Sequence, residues 1–244
     1  MNMIYTLILW QTGYATGNNM SAYILMIIIA VVGMIVQSRL KSKFNYYSKI
    51  PLKKGYTGAQ VAQMMLDDYG IHDVKVVSTR GFLTDHYHPV KKTVNLSEPV
   101  YNSNSIAAVA VAAHECGHAV QHAQGYKWLK LRSKLVPVVQ FSSSIVQWIL
   151  LAGIFMVNTF PQLLFIGILL FASTVLFSFI TLPVEYDASN RAKKWLIEKN
   201  IVDKDESKGV ADALKWAART YVVAALSSLA TLIYYLQIYL SRRD

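Results

Sequence analysis

The five residues His114-Glu115-Cys116-Gly117-His118 are the stretch of this 244-residue chain best suited to chemistry. Residues four apart lie one above the other on a helix, so the two imidazoles can bind one zinc ion. Glu115, about 60° around the helix from His118, then flanks a metal-bound water and can serve as general base. The surroundings suit a helix: an alanine-rich run precedes the motif, Gly125 follows it, and Ser103 or Ser105 offers a cap. The competing reading is a buried helix whose histidines merely satisfy polar neighbours.

A catalytic zinc takes three protein ligands and keeps one position for water. His122 continues the stripe of histidines, but at 1.5 Å per residue it lies about 12 Å along the axis from His114, too far to share one tetrahedral ion. It belongs to the helix surface or to the groups that surround the ligands. His86 and His88 could reach the metal from a loop. Glu185 is the stronger candidate, because in LPVEYDAS (residues 182 to 189) a carboxylate emerges from an apolar run beside several polar residues. Cys116 is two residues from each histidine and so points away from the metal, as a small core residue. It is also the only cysteine, which excludes a disulfide framework.

The elements that must position these groups are membrane elements. Lys+Arg number 24 against 14 Asp+Glu, a net charge of +10, yet only 16% of residues are charged, 54% are apolar and the mean hydropathy is +0.31. Soluble domains run at about a quarter charged and just under half apolar, so the excess needs a bilayer, and the same numbers exclude disorder. The charge is also segregated. Residues 1 to 38 and 135 to 182 carry none, whereas residues 39 to 134 carry fourteen Lys/Arg against six Asp/Glu. Nothing matches a nucleic-acid-binding motif, and the basic residues flank apolar runs as membrane anchors do.

Four apolar segments approach the roughly 20 helical residues that cross a hydrocarbon core. They are Ser21 to Val36, Val138 to Val157, Leu163 to Leu182 and Tyr221 to Leu240, the middle two forming a hairpin about a turn at Asn158 to Gln162. Residues 1 to 10 are too short to span and read as an interfacial or poorly ordered arm. The positive-inside rule places 39 to 134 and 183 to 220 in the cytoplasm. Four full spans leave Arg242 and Arg243 outside, against that rule, so the last segment could instead be re-entrant or surface-lying. The polar part reads as a helix over Thr57 to Tyr69 and strands at Val74 to Ser78 and Thr93 to Leu96. Residues 81 to 89 (GFLTDHYHP) form a loop or edge segment between them, and the motif helix follows.

The fold expected is a mainly α membrane protein: about four transmembrane helices and a small α+β, zincin-like cytoplasmic part. Its divisions are an arm and first span (1 to 38), the cytoplasmic part with the motif helix (39 to 134), the hairpin (135 to 182), a cytoplasmic helix (183 to 220) and the last span with its tail (221 to 244). The basic, aromatic stretch Lys127 to Lys134 suits anionic headgroups ahead of the second span.

Several separated motifs together, GFLTDHYHP, NLSEPVYNSNSIAAVAVAAHECGHAVQHA, RSKLVPV and LPVEYDASNRA, resemble the YugP-like bacterial membrane zinc metallopeptidases over roughly residues 39 to 240. The resemblance implies a gluzincin-like enzyme with His114, His118 and Glu185 on Zn2+ and Glu115 as base. The chain is similar, more distantly, to HtpX-type membrane proteases, whose ligand glutamate is followed four residues later by an aspartate. Here that position is Ser189, and Asp187 is the candidate to orient a ligand in its place. His88 departs from the acidic residue expected in the family's segment.

The function expected is a multi-pass, cell-membrane zinc endopeptidase whose active site faces the cytoplasm. It would cut peptide bonds of membrane or membrane-adjacent proteins, with the lipid bilayer and a protein or peptide substrate as partners. Tyr87, His86 and Tyr186 are candidate donors to the oxyanion, and residues 82 to 89 could offer an edge to an extended peptide. The alternative is a catalytically silent membrane scaffold with a structural zinc site. An intact Glu115 favours the enzyme, since a structural site has no need of a general base.

Overall fold

A computed structural model describes residues 20–241. The arm expected at residues 1 to 10, and Arg242 and Arg243, lie outside the described residues. The elements in order are α1 (Met20–Tyr47), α2 (Gly58–Asp68), β1 (Lys75–Thr79), β2 (His86–His88), β3 (Thr93–Ser97), α3 (Glu98–Tyr101), α4 (Ile106–Ala123), α5 (Lys127–Phe155), α6 (Pro161–Glu198) and α7 (Lys204–Leu240). Among the described residues four helices, α1, α5, α6 and α7, are long and apolar enough to cross a membrane.

The length of these helices organises the molecule. At 1.5 Å per residue, the 38 residues of α6 span about 57 Å, nearly twice a hydrocarbon core of about 30 Å. The same rods that carry the apolar segments therefore continue into the polar part. α6 runs unbroken through residues 182 and 183, and α7 through 220 and 221. Pro183 sits inside α6, where it removes the N–H that would bond the carbonyl of Phe179. The fourth apolar segment is the second half of a continuous helix that packs along α1 and α6.

Two cores result. In the apolar layer, Val146, Leu150, Leu164 and Ile168 pack within the α5–α6 hairpin. Gly153 permits it, since a Cβ there would stand 2.6 Å from the Cα of Leu164. In the polar layer, Val61, Met65, Leu66, Val94, Leu96, Val109 and Val120 pack against Trp195 and Leu196 of α6 and Val210 and Leu214 of α7. Lys43 and Tyr47 at the end of α1 both meet Asp212 of α7, at 2.7 and 2.9 Å. By contrast Ile27, Met34 and Ile35 on α1 are exposed, the arrangement that lipid rather than water requires.

Local chemistry explains the remaining elements. Thr57 caps α2 in a reciprocal box with Gln60, and Gly70 ends it with φ +66°. Ser105, not Ser103, caps α4 by accepting from the backbone N–H of Ala108. The sheet has the order β1-β3-β2, with β1 parallel and β2 antiparallel to β3. Residues 81 to 89 thus contain an edge strand, only three residues long.

Candidate metal centre

α4 and α6 cross at Gly117. A Cβ on that residue would stand 2.6 Å from the carbonyl oxygen of Ala188, so only glycine lets the two backbones approach this closely. One turn earlier on α6 is Glu185, and the crossing sets it against the motif. Its Oε2 lies 3.3 Å from His114 Nε2 and 3.5 Å from His118 Nε2. The three potential ligand atoms all fall within 4.8 Å of one another. A Gly117→Ala variant is therefore expected to push α6 away, lose about 1–3 kcal/mol of stability as overpacked sites do, and bind metal more weakly. Thermal unfolding and metal content of the purified protein check this; wild-type values for both would mean the crossing is looser than the geometry requires.

The cluster suits a cation. Glu185 is 2% exposed, and its Oε2 accepts no hydrogen bond although it faces two imidazole nitrogens. A buried carboxylate oxygen without a partner is costly unless positive charge lies beside it. Burial alone lowers the pKa of His118, but the Glu185 carboxylate, with smaller help from Glu115 and Gln121, more than offsets it, leaving the imidazole above its ordinary value. The pocket thus attracts positive charge. Two imidazoles and one carboxylate are a donor set that zinc accepts.

The other ring nitrogens are also engaged. His114 Nδ1 lies 3.1 Å from Ser189 Oγ, and His118 Nδ1 lies 3.0 Å from Gln121 Oε1. Ser189, four residues after Glu185, thus contacts a motif histidine. Asp187 acts one step further out, accepting from Gln121 Nε2 at 2.8 Å.

Glu115 is held from a different element. Its Oε2 accepts from the backbone N–H of Tyr87 on β2 at 3.0 Å. That N–H faces away from β3, so the open edge of the sheet lies on the Glu115 side. The Tyr87 hydroxyl bonds His122 Nδ1 at 2.7 Å, and its pKa is raised by burial and by the charge of Asp73, which keeps it protonated. His122 is therefore tied to the sheet and takes no part in the cluster. His86 Nδ1 pairs with the carbonyl of Thr84 at 2.7 Å, and His88 Nδ1 accepts from the N–H of Lys91 at 3.2 Å. Neither joins the group of potential ligands. Tyr186, the third oxyanion candidate, is 45% exposed. Cys116 is fully buried with its Sγ 3.4 Å from the carbonyl of Ala62, and burial pushes its thiol far up, so no reactive thiolate forms.

Nothing in the sequence assigns three neighbours of the cluster to it. Gln121 looks like an ordinary helix-surface residue. Arg132, within a stretch that suits headgroups, places Nη1 3.6 Å from Glu185 Oε1. Tyr221, at the start of the fourth apolar segment, interacts electrostatically with Glu185, Glu115 and Arg132.

No solved structure matches the chain. The chain is 44% identical over 218 residues to the Bacillus subtilis (strain 168) protein named Putative membrane protease YugP, covering 88% of this chain and 96% of that relative. The profile of the family described as Putative neutral zinc metallopeptidase matches residues 22–240. With nearly all of the apolar helices and the whole polar part inside that match, the chain belongs to the putative neutral zinc metallopeptidase family.

Proposed function

We propose that this protein is a zinc-dependent endopeptidase of the membrane, with His114, His118 and Glu185 as metal ligands and Glu115 as general base. The observation that carries the reading is the buried, unpartnered Glu185 Oε2 between two imidazole Nε2 atoms. Bound zinc supplies a water of lowered pKa and polarisation of the scissile carbonyl. Glu115 does the proton work. The Tyr87 N–H occupies its Oε2, which leaves Oε1 to take the proton from the attacking water and pass it to the leaving amine. Tyr87 lies on an edge strand, so an extended peptide adding to that edge would run past Glu115, which favours a polypeptide substrate.

Glu185 follows directly on the third apolar segment, so the centre lies near the end of a hydrocarbon span. Substrates in or next to the membrane fit this placement. The decisive experiment is metal content and casein or membrane-protein cleavage by the purified protein, beside a Glu115→Gln variant.

The basic residues of the polar part favour a cytoplasmic active site. A cysteine introduced at Gln162 is expected to react with an impermeant thiol reagent added to intact cells, and one at Lys92 is not. Both positions are exposed, and the native Cys116 is buried and silent. The reverse pattern would place the centre outside the cytoplasm.

A further inference from the structure

We propose that Gln121 is a positioning residue, a neutral amide relay between α4 and α6 that fixes which nitrogen of His118 faces the cation. The inference rests on the reading of His118 as a metal ligand. Gln121 is wholly buried, and each of its polar atoms is used. Nε2 donates to the carbonyl of Val184 at 2.8 Å and to Asp187 Oδ2 at 2.8 Å. The carbonyl has no proton to give. Asp187 Oδ2 also receives Arg191 Nε at 2.5 Å, so it too only accepts.

These partners decide the orientation of the amide. Turned over, Oε1 would face two acceptors, so it must point to His118 instead, 3.0 Å from Nδ1. An amide oxygen can only accept, hence Nδ1 carries the ring proton. Nε2 is left with its lone pair, and Nε2 is the atom that faces Glu185 Oε2. Metal-binding histidines depend on such outer partners for tautomer and ring orientation. Here the sign is imposed by α6 through Val184 and Asp187 rather than by a carboxylate on the histidine itself. Arg191 Nη1 also donates to Gln124 Oε1 at 2.5 Å, which ties the far end of the relay back to the residue that caps the C-terminus of α4.

The test is zinc affinity by competition with a chromophoric chelator, together with the absorption spectrum of the Co2+-loaded protein. Gln121→Glu preserves size and an acceptor for His118 and, once ionised, sets a second proton-free oxygen against Val184 and Asp187, so its affinity is read at rising pH up to about 9, where the new carboxyl is driven to ionise. Zinc affinity is expected to fall at least roughly tenfold and the Co2+ bands to shift. Adding Asp187→Asn, whose amide can donate to the new carboxylate, should recover most of that loss. Asp187→Asn alone keeps an acceptor for Gln121 and should lose less than Gln121→Glu. A packing role predicts the opposite, since the isosteric glutamate would be tolerated and Asp187→Asn would rescue nothing. Wild-type affinity in Gln121→Glu, or no recovery in the double variant, overturns the relay. Gln121→Met covers the case in which the glutamate variant does not fold: it fills the space without polar partners and should show the same loss. His118→Ala separates the two readings. If it retains zinc, the ligand assignment itself fails; the relay alone fails when His118→Ala loses zinc and Gln121→Glu does not.

Discussion

A Glu115→Gln variant is expected to bind zinc as the wild type does and to hydrolyse peptide bonds at least about a hundredfold more slowly, the scale of a lost general base. The carboxamide has the shape of the carboxylate, and its oxygen can still accept the Tyr87 N–H that holds Oε2 in place. The second position then presents an NH2 group to the attacking water. A donor cannot take a proton, so the chemical step should fail while the fold and the metal site survive. Because Glu115 is not among the three clustered ligand atoms, zinc content should be unchanged. Chelator competition and cleavage of casein, measured on the same preparation, give both readouts. Undiminished activity would sink the proposed mechanism, whereas loss of zinc would mean that Glu115 reaches the metal.

Where the fold depended on contiguous residues, it could be read from the sequence. The α2 cap needs only Thr57 and Gln60, and the hairpin needs two apolar runs separated by a short polar turn. The motif histidines need only their spacing of four. Glu185 was reachable because a carboxylate at the end of an apolar run is unusual. Illegible features were those in which ordinary residues acquire a role from a distant partner. Gln121 differs from any exposed helical glutamine only because Val184 and Asp187 meet it from α6. Arg132 reads as a headgroup anchor until the crossing of α5 and α6 sets it beside Glu185.

The helices outrun the apolar segments for a related reason. A hydropathy window stops where charges begin, yet the helix does not. α5 starts at Lys127, eleven residues before the apolar run at Val138, and α6 continues to Glu198, sixteen beyond Leu182. Charged residues such as Lys130, Arg191 and Lys194 are good helix formers, and their heads stay in water while the backbone ladder continues. The continuity has a functional consequence. Glu185 sits on a helix that continues unbroken from an apolar segment, so its distance from the end of that segment is set by the rod itself.

The same continuity underlies the sharpest expectation for the metal. Removing Glu185 takes away the one anionic donor and leaves two neutral imidazoles in a buried pocket. Zinc bound to a structural-type site is worth on the order of 10 kcal/mol or more, so losing one of three ligands should cost several kcal/mol. Removing a group that only orients a ligand costs about 10- to 100-fold. Glu185→Ala and His118→Ala should therefore release zinc to a mild chelator. Asp187→Ala, which breaks one contact of Gln121, should fall within the smaller range. His122→Ala and His86→Ala should change little, because those rings bond the Tyr87 hydroxyl and the Thr84 carbonyl and not the cluster. If Glu185→Ala keeps stoichiometric zinc while His86→Ala or His88→Ala loses it, the third ligand comes from the β2 segment. The crossing at Gly117 would then serve packing rather than the metal.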